Sequence, residues 1–309
     1  MILCLGTTPA VQMTMTFASL QLDAVNRAAS VAHSASGKSI NVARVARALG
    51  ASVLATGFIG GDGAPFVRRD LDAAGIPHDF VDVQPRSRTC VTVIDERAGT
   101  ATELIEESKQ VEPEAWLRLV DRIDAHLGAA DVLVVSGTLT PGAPQDFYAT
   151  CAKRASLRGV RAIVDATGEP LRHAIAAKPF IIKPNRAELG RTLGVDTSTD
   201  AGLREAMRKA VELGARWVVV TMGAEGVIAS DGKGFWRVPI PKVDVVNPIG
   251  SGDAFAAGLA VSLAVGPPMP EAMVLATACG VANAMTPVAG QVRPDDVARF
   301  TGEFDVEPA

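Results

Sequence analysis

Residues 247–265 read N-P-I-G-S-G-D-A-F-A-A-G-L-A-V-S-L-A-V, a glycine-rich turn running directly into an apolar helical stripe. Such a turn leaves backbone N–H groups free at a helix N-terminus, where, with the helix dipole, they hold negative charge. Gly250 and Gly252 let the backbone come close to a ligand. Asp253 then sits in the first helical turn, where a carboxylate is favoured in its ionised form and can accept a proton from an attacking hydroxyl. This pattern suits phosphoryl transfer, with the turn holding the charge of the moving group and Asp253 accepting the proton. An ordinary helix start explains the same residues without any chemistry, so the rest of the chain must decide.

The elements that would position this turn are legible as short apolar runs ending in polar residues. Asp131–Val135 ends at Ser136, Arg161–Asp165 at Ala166, Phe180–Ile182 at Lys183-Pro184-Asn185, and Trp217–Val220 at Thr221. These read as buried parallel strands, and the helical spacing over 144–158 and 201–214 between them gives βαβ order. Ligands collect outside the carboxyl ends of such strands, which nominates Ser136, Asp165, Lys183, Asn185 and Thr221. Val11–Phe17 and Cys90–Asp95 instead alternate apolar with polar residues, the period of half-exposed antiparallel strands, and Ala101–Ile105 follows as a hairpin partner after Ala98-Gly99. The reading is a single domain over 1–309 whose chain leaves the main sheet at about 10–34 and 87–107 to build a small lid. The tail after Glu303 is expected to fray.

Composition narrows the class. With 48% hydrophobic and 21% charged residues among 309, the chain has ample core material. Net charge is -4 without a basic block, and one Tyr and three Trp offer little for base stacking, so nucleic acid is excluded as a partner. No apolar run approaches the roughly 18 residues of a membrane helix, and Met1–Gly6 reads as a first strand rather than a signal peptide, so a cytoplasmic protein is expected. Cys4, Cys90, Cys151 and Cys279 form no pair pattern and read as buried thiols; the four histidines do not cluster into a metal site.

The turn at 247–253 resembles the second signature of the PfkB (ribokinase-like) carbohydrate kinase family, and Ser36-Gly37-Lys38-Ser39-Ile40-Asn41-Val42-Ala43-Arg44 resembles its first. Gly57–Asp62, Ser136–Gly142, Lys183–Glu188 and Thr221–Gly226 match between them, so the likeness covers almost the whole chain. Its flavour is that of the branch holding 1-phosphofructokinase and tagatose-6-phosphate kinase, on Val25-Asn26-Arg27, Ile40–Arg44 and Lys183-Pro184-Asn185. The resemblance implies a three-layer α/β/α sandwich with a β-sheet lid, and ATP-dependent phosphorylation of a sugar or sugar-phosphate hydroxyl. It implies Asp253 as base, Gly250, Ser251 and Gly252 as the anion hole, Lys183, Asn185, Thr221, Gly223 and Gly226 at ATP, and Asn185 with Glu188 organising Mg2+ through water. It further implies Gln12, Gly37, Asn41 and Ser136 at the sugar, Arg27, Lys38 and Arg88 as candidates for its phosphate, a homodimer through the lid, and a monovalent cation as an additional requirement. Two departures bear on the acceptor. Gln12 stands where the branch has a hydroxyl-binding aspartate, and Ala35-Ser36-Gly37-Lys38-Ser39 stands where G-G-K-G is usual. Two alternatives remain: a P-loop NTPase using Gly37-Lys38-Ser39, and a non-catalytic sugar sensor on the same fold.

Overall fold

The computed structural model describes residues Met1–Ala309. Its main sheet has ten strands, in spatial order Glu307–Pro308, Phe235–Val238, Val227–Ser230, Trp217–Thr221, Ile181–Ile182, Arg161–Asp165, Val132–Ser136, Ile2–Gly6, Val53–Gly60 and Val81–Val83. From Trp217–Thr221 to Val81–Val83 every pairing is parallel, whereas the three strands on the other side of Trp217–Thr221 pair antiparallel. Alternation along each central strand sends side chains to two cores. Ile2, Cys4, Val132 and Val134 belong to one cluster, and Leu3, Leu5, Leu133 and Val135 to the other. The sheet is therefore covered on both faces, which is why these strands read as continuous apolar runs.

Helices Lys38–Ala48, Ser251–Val265 and Met269–Ala284 pack on the first core; Pro113–Leu127, Phe147–Leu157, Gly168–Ala176 and Asp200–Glu212 pack on the second. The Ser251–Val265 and Met269–Ala284 helices approach closely, since a Cβ at Gly258 would lie 2.5 Å from the Ala276 Cα. That contact fixes the axis of the helix whose first turn carries Asp253.

A second sheet has the order Ser30–Ser36, Ala10–Phe17, Arg88–Asp95, Thr100–Ile105. It is the lid of a ribokinase-like fold. Its central pair runs parallel, with Gln12 opposite Cys90, and only the outer pairs are antiparallel. This corrects the antiparallel expectation for Val11–Phe17 and Cys90–Asp95. The chain returns to the main sheet between them, through Val53–Gly60 and Val81–Val83, and so enters the lid twice in the same direction. The tail also departs from expectation. It does not fray: Phe304 is buried, and Glu307–Pro308 adds an edge strand against Trp236 and Arg237. No helix is long and apolar enough to cross a membrane, and all four cysteines are buried and free.

Candidate active site

The carboxyl ends of the parallel strands, the inner face of the lid and the turn before Ser251 enclose a cleft of about 540 Å³. Gly250 caps the Ser251–Val265 helix at φ 85°, and a Cβ there would meet the Ala289 Cβ at 2.8 Å, so both backbone conformation and crowding require glycine. The N–H groups of Ser251, Asp253 and Ala254 donate to the Pro248 and Gly250 carbonyls, whereas that of Gly252 has no backbone acceptor. The Lys183 Nζ stands 3.6 Å from where a Gly252 Cβ would be. An ammonium and an open helix N-terminus thus converge on one point of the cleft.

Asp253 is 6% exposed and accepts a hydrogen bond from Asn41 Nδ2 at 2.8 Å; Asn41 Oδ1 in turn lies 3.1 Å from the Ser36 hydroxyl that donates to it. Burial pushes the Asp253 carboxyl up to about 6, against the pull of Lys38, Asn41 and Lys183 and with the help of the Asp165 charge. Asp165, fully buried, joins the two lysines: Lys183 Nζ is 3.1 Å from its Oδ2 and Lys38 Nζ 3.4 Å from its Oδ1. Burial raises the Asp165 carboxyl, but Lys183 and Lys38 together outweigh it and hold the group below the usual carboxylate range. The Asp165 charge, outweighing desolvation, holds Lys38 firmly protonated.

On the neighbouring wall Asn185 and Glu188 form a reciprocal capping box. Asn185 Oδ1 accepts from the Glu188 N–H, and Glu188 Oε2 accepts from the Asn185 N–H, each at 2.8 Å. No three His, Cys, Asp or Glu side chains gather into a metal cage. The cap leaves Glu188 Oε1 unengaged at the cleft, a donor set that fits a hydrated hard cation held mainly by phosphate oxygens.

Most residues expected from the sequence meet in this cleft: Gln12, Gly37, Lys38, Asn41, Arg88, Lys183, Asn185, Glu188, Thr221, Gly250, Gly252 and Asp253 all line it. Five do not. Arg27 lies on the exposed segment between lid strands, because nothing in residues 19–29 packs it back onto the body. Ser136 is 1% exposed, its hydroxyl unpartnered beneath the surface that Gly137 and Thr138 present. The Ser251 hydroxyl accepts from Asn283 Nδ2 at 3.3 Å instead of facing the cleft. Gly223 and Gly226 bend the chain beyond Thr221, and Gly226 is needed because a Cβ would lie 2.2 Å from the Val238 carbonyl. The P-loop alternative fails, since Ala32–Ser36 are strand residues paired with Ala10–Thr14 and cannot form a phosphate loop.

Two features escaped the sequence reading. Asn283 donates to the Ile249 carbonyl and accepts from the Gly290 N–H, bolting loop 286–290 to the turn; Asn247 adds a bond to the Pro287 carbonyl. Asn247 opens the quoted motif without a visible role and Asn283 lies outside it, because their bonds to Pro287 and Ile249 span 40 and 34 residues. Asp165 was visible only as one polar strand end among several.

A two-sided parallel sheet, a β-lid and a glycine-opened helix presenting a buried carboxylate define a phosphotransferase of the ribokinase-like class. Residues 1–294 match the family described as pfkB family carbohydrate kinase. The chain belongs to that family, as a kinase that transfers a phosphoryl group to an alcohol. Phosphofructokinase-2 from Escherichia coli, crystallised with potassium, superposes with a TM-score of 0.89 at 24% identity over 98% of each chain. A Thermotoga maritima protein described as a possible 1-phosphofructokinase gives 0.92 at 23% identity, covering 100% of this chain and 99% of its own. Arabidopsis thaliana ribokinase, complexed with ribose and ATP, gives 0.77 at 20% identity over 97% and 98%.

Proposed function

We propose that this kinase transfers the γ-phosphoryl group of ATP to a hydroxyl of a sugar phosphate or related sugar, a phosphohexose such as fructose 1-phosphate, fructose 6-phosphate or tagatose 6-phosphate being the leading class. The observation that carries the reading is Asp253: a buried carboxylate with its acidity tuned to about 6, oriented by Asn41 and set beside the open N–H of Gly252 and the Lys183 ammonium. Asp253 takes the proton of the attacking hydroxyl. Gly252, with Gly250 and Ser251 shaping the turn, and Lys183 hold the negative charge of the moving phosphoryl group. Protonation of Asp253 removes one negative charge from a cluster that also holds Lys38, Lys183 and Asp165, so the site becomes more positive as the phosphoryl group moves.

Thr221, Asn185 and Lys183 border the side assigned to ATP, with Gly223 and Gly226 shaping the turn behind it. Glu188 and Asn185 would hold Mg2+ through its waters, which when bound neutralises phosphate charge. At the other end Arg88, whose Nε is buried without a partner, suits the acceptor's phosphate, and Gln12, Gly37 and Asn41 suit its hydroxyls. The lid excludes water from the donor. Exposed Leu22, Val25, Val31 and Leu104 on the lid and its connecting loop support a homodimer through that surface, which would also place Arg27 at the interface. A structural neighbour, Escherichia coli phosphofructokinase-2, has been crystallised with fructose-6-phosphate, consistent with this acceptor class. The substitutions at Gln12, Ser36 and Ser39 motivate a sensor without turnover, but the assembled base, turn and both lysines favour catalysis.

The test is Mg2+-dependent ADP release from ATP across ketose phosphates, free hexoses, pentoses and nucleosides, with Asp253→Asn as control. Turnover of at least one sugar or sugar phosphate, lost in the variant, is expected; equal turnover by the variant would refute Asp253 as base.

A further inference from the structure

The acceptor end of the cleft contains a carboxylate for which the chemistry above has no use. Position 12, where the family branch has an aspartate, holds Gln12, and both hydrogen bonds of that amide leave from Nε2, to Thr92 Oγ1 at 2.9 Å and to the Met13 carbonyl at 3.3 Å. Its Oε1 remains as a neutral acceptor, weaker toward a hydroxyl than a carboxylate. Thr92 is paired in turn with Glu103 on the next lid strand. Register places them on one face: Gln12 opposite Cys90, Cys90 opposite Ile105, and Thr92 opposite Glu103. Directly opposed side chains stand about 5 Å apart, so Glu103 lies two strands from Gln12 across the same pocket wall, and both line the cleft.

Glu103 has no hydrogen-bond or ion-pair partner in the chain, whereas its neighbour Glu106 is engaged by Arg86 at 2.8 Å and by the Thr89 N–H at 2.9 Å. Glu107 also reaches the cleft but lies beyond the paired strand, with no register to fix it. Arg88 and Glu103 line the same cleft without forming a salt bridge; partial desolvation raises the Glu103 carboxyl against the pull of the Arg88 charge.

We infer that Glu103 is a specificity-determining residue of the acceptor site, its carboxylate accepting hydrogen bonds from ring hydroxyls in place of the aspartate absent at position 12. The site then selects a polyhydroxylated acceptor carrying a single anionic group, with that group at Arg88 and its hydroxyls between Glu103 and Gln12. This rests on the kinase reading and names which wall of the cleft recognises the sugar. A competing role for Glu103, as a counter-ion that merely moderates Arg88, predicts the opposite sign on mutation.

The experiment measures, by calorimetry without ATP, the Kd of the sugar phosphate that wild type turns over best, for wild type, Glu103→Gln and the double variant Glu103→Gln with Gln12→Asp. Losing a charge-assisted hydrogen bond is expected to weaken acceptor binding about 10-fold in Glu103→Gln, with the ATP Kd and the melting temperature unmoved and the kinetic loss falling on acceptor KM more than on kcat. Aspartate at position 12 should recover most of that loss, and an acceptor analogue lacking the recognised hydroxyl should bind wild type and Glu103→Gln alike. Unchanged or tighter binding in Glu103→Gln overturns the inference, tighter binding assigning the counter-ion role, while wild-type turnover leaves the kinase reading intact. Absence of turnover by wild type across the whole panel overturns the kinase reading and this inference with it.

Discussion

Replacing Asp253 by Asn should inactivate the protein and at the same time stabilise it. In the fold the carboxyl titrates near 6 instead of at 3.8, a difference of about 2 units, so holding it ionised costs about 3 kcal/mol at pH 8. The direction follows from proton binding. Because the folded-state pKa is raised, the native protein binds this proton more tightly; the associated stability is full below the unfolded pKa and is lost as pH rises through about 6. Asparagine keeps the shape and can still accept from Asn41, but carries no charge to desolvate. The variant should therefore gain about 1–3 kcal/mol at pH 8, allowing for imperfect replacement of the carboxylate's contacts with the lysines, and about half of that at pH 5. At about 2.1 cal/mol/K per residue, a chain this long shifts by roughly 1.5 °C per kcal/mol, so calorimetry should record a Tm higher by about 2–5 °C at pH 8. In parallel, wild-type kcat/KM should fall about tenfold per pH unit below pH 6, and the variant should lose on the order of 10²–10⁴ in kcat. A lower Tm for the variant at pH 8, or a gap that does not shrink on acidification, would refute the argument that burial tunes this carboxylate.

Lys183→Met should cost about 3 kcal/mol in urea unfolding, since it leaves buried Asp165 with only the longer contact to half-exposed Lys38, and should lower kcat about 100-fold by removing the charge beside Gly252. Gly250→Ala forces a side chain into a left-handed conformation against Ala289; a loss of about 1–3 kcal/mol is expected, with turnover falling although Asp253 is intact. Asn283→Ala strips the bonds to Ile249 and Gly290 and should destabilise by about 1–3 kcal/mol, with a larger loss in kcat than in ATP affinity. Val25→Asp combined with Leu22→Asp places charge on the most exposed apolar residues of the lid loop; a shift from dimer to monomer in analytical ultracentrifugation is expected, and an unchanged sedimentation coefficient would remove this loop from the interface.

The sequence by itself determined whatever is encoded locally. The turn at Gly250–Asp253 and the strand ends at Asp165, Lys183 and Thr221 are contiguous patterns whose geometry follows from glycine freedom and strand burial within a few residues. That these strand ends would face one cleft also followed, because parallel βαβ units bring their carboxyl ends to one side. Only the tertiary structure decided the rest. Asp165 joins Lys38 across 127 residues, and Asn41 orients Asp253 across 212; no periodicity records such pairings. The lid's parallel centre depends on where the chain re-enters it, which alternation cannot state, since a strand of period 2 reads alike in both directions. Register then decided that Glu103 shares a wall with Gln12, and the lack of packing around residues 19–29 kept Arg27 out of the cleft. Local chemistry is written in neighbouring residues, whereas charge pairing, facing and exposure are properties of segments far apart in the chain and adjacent only once it has folded.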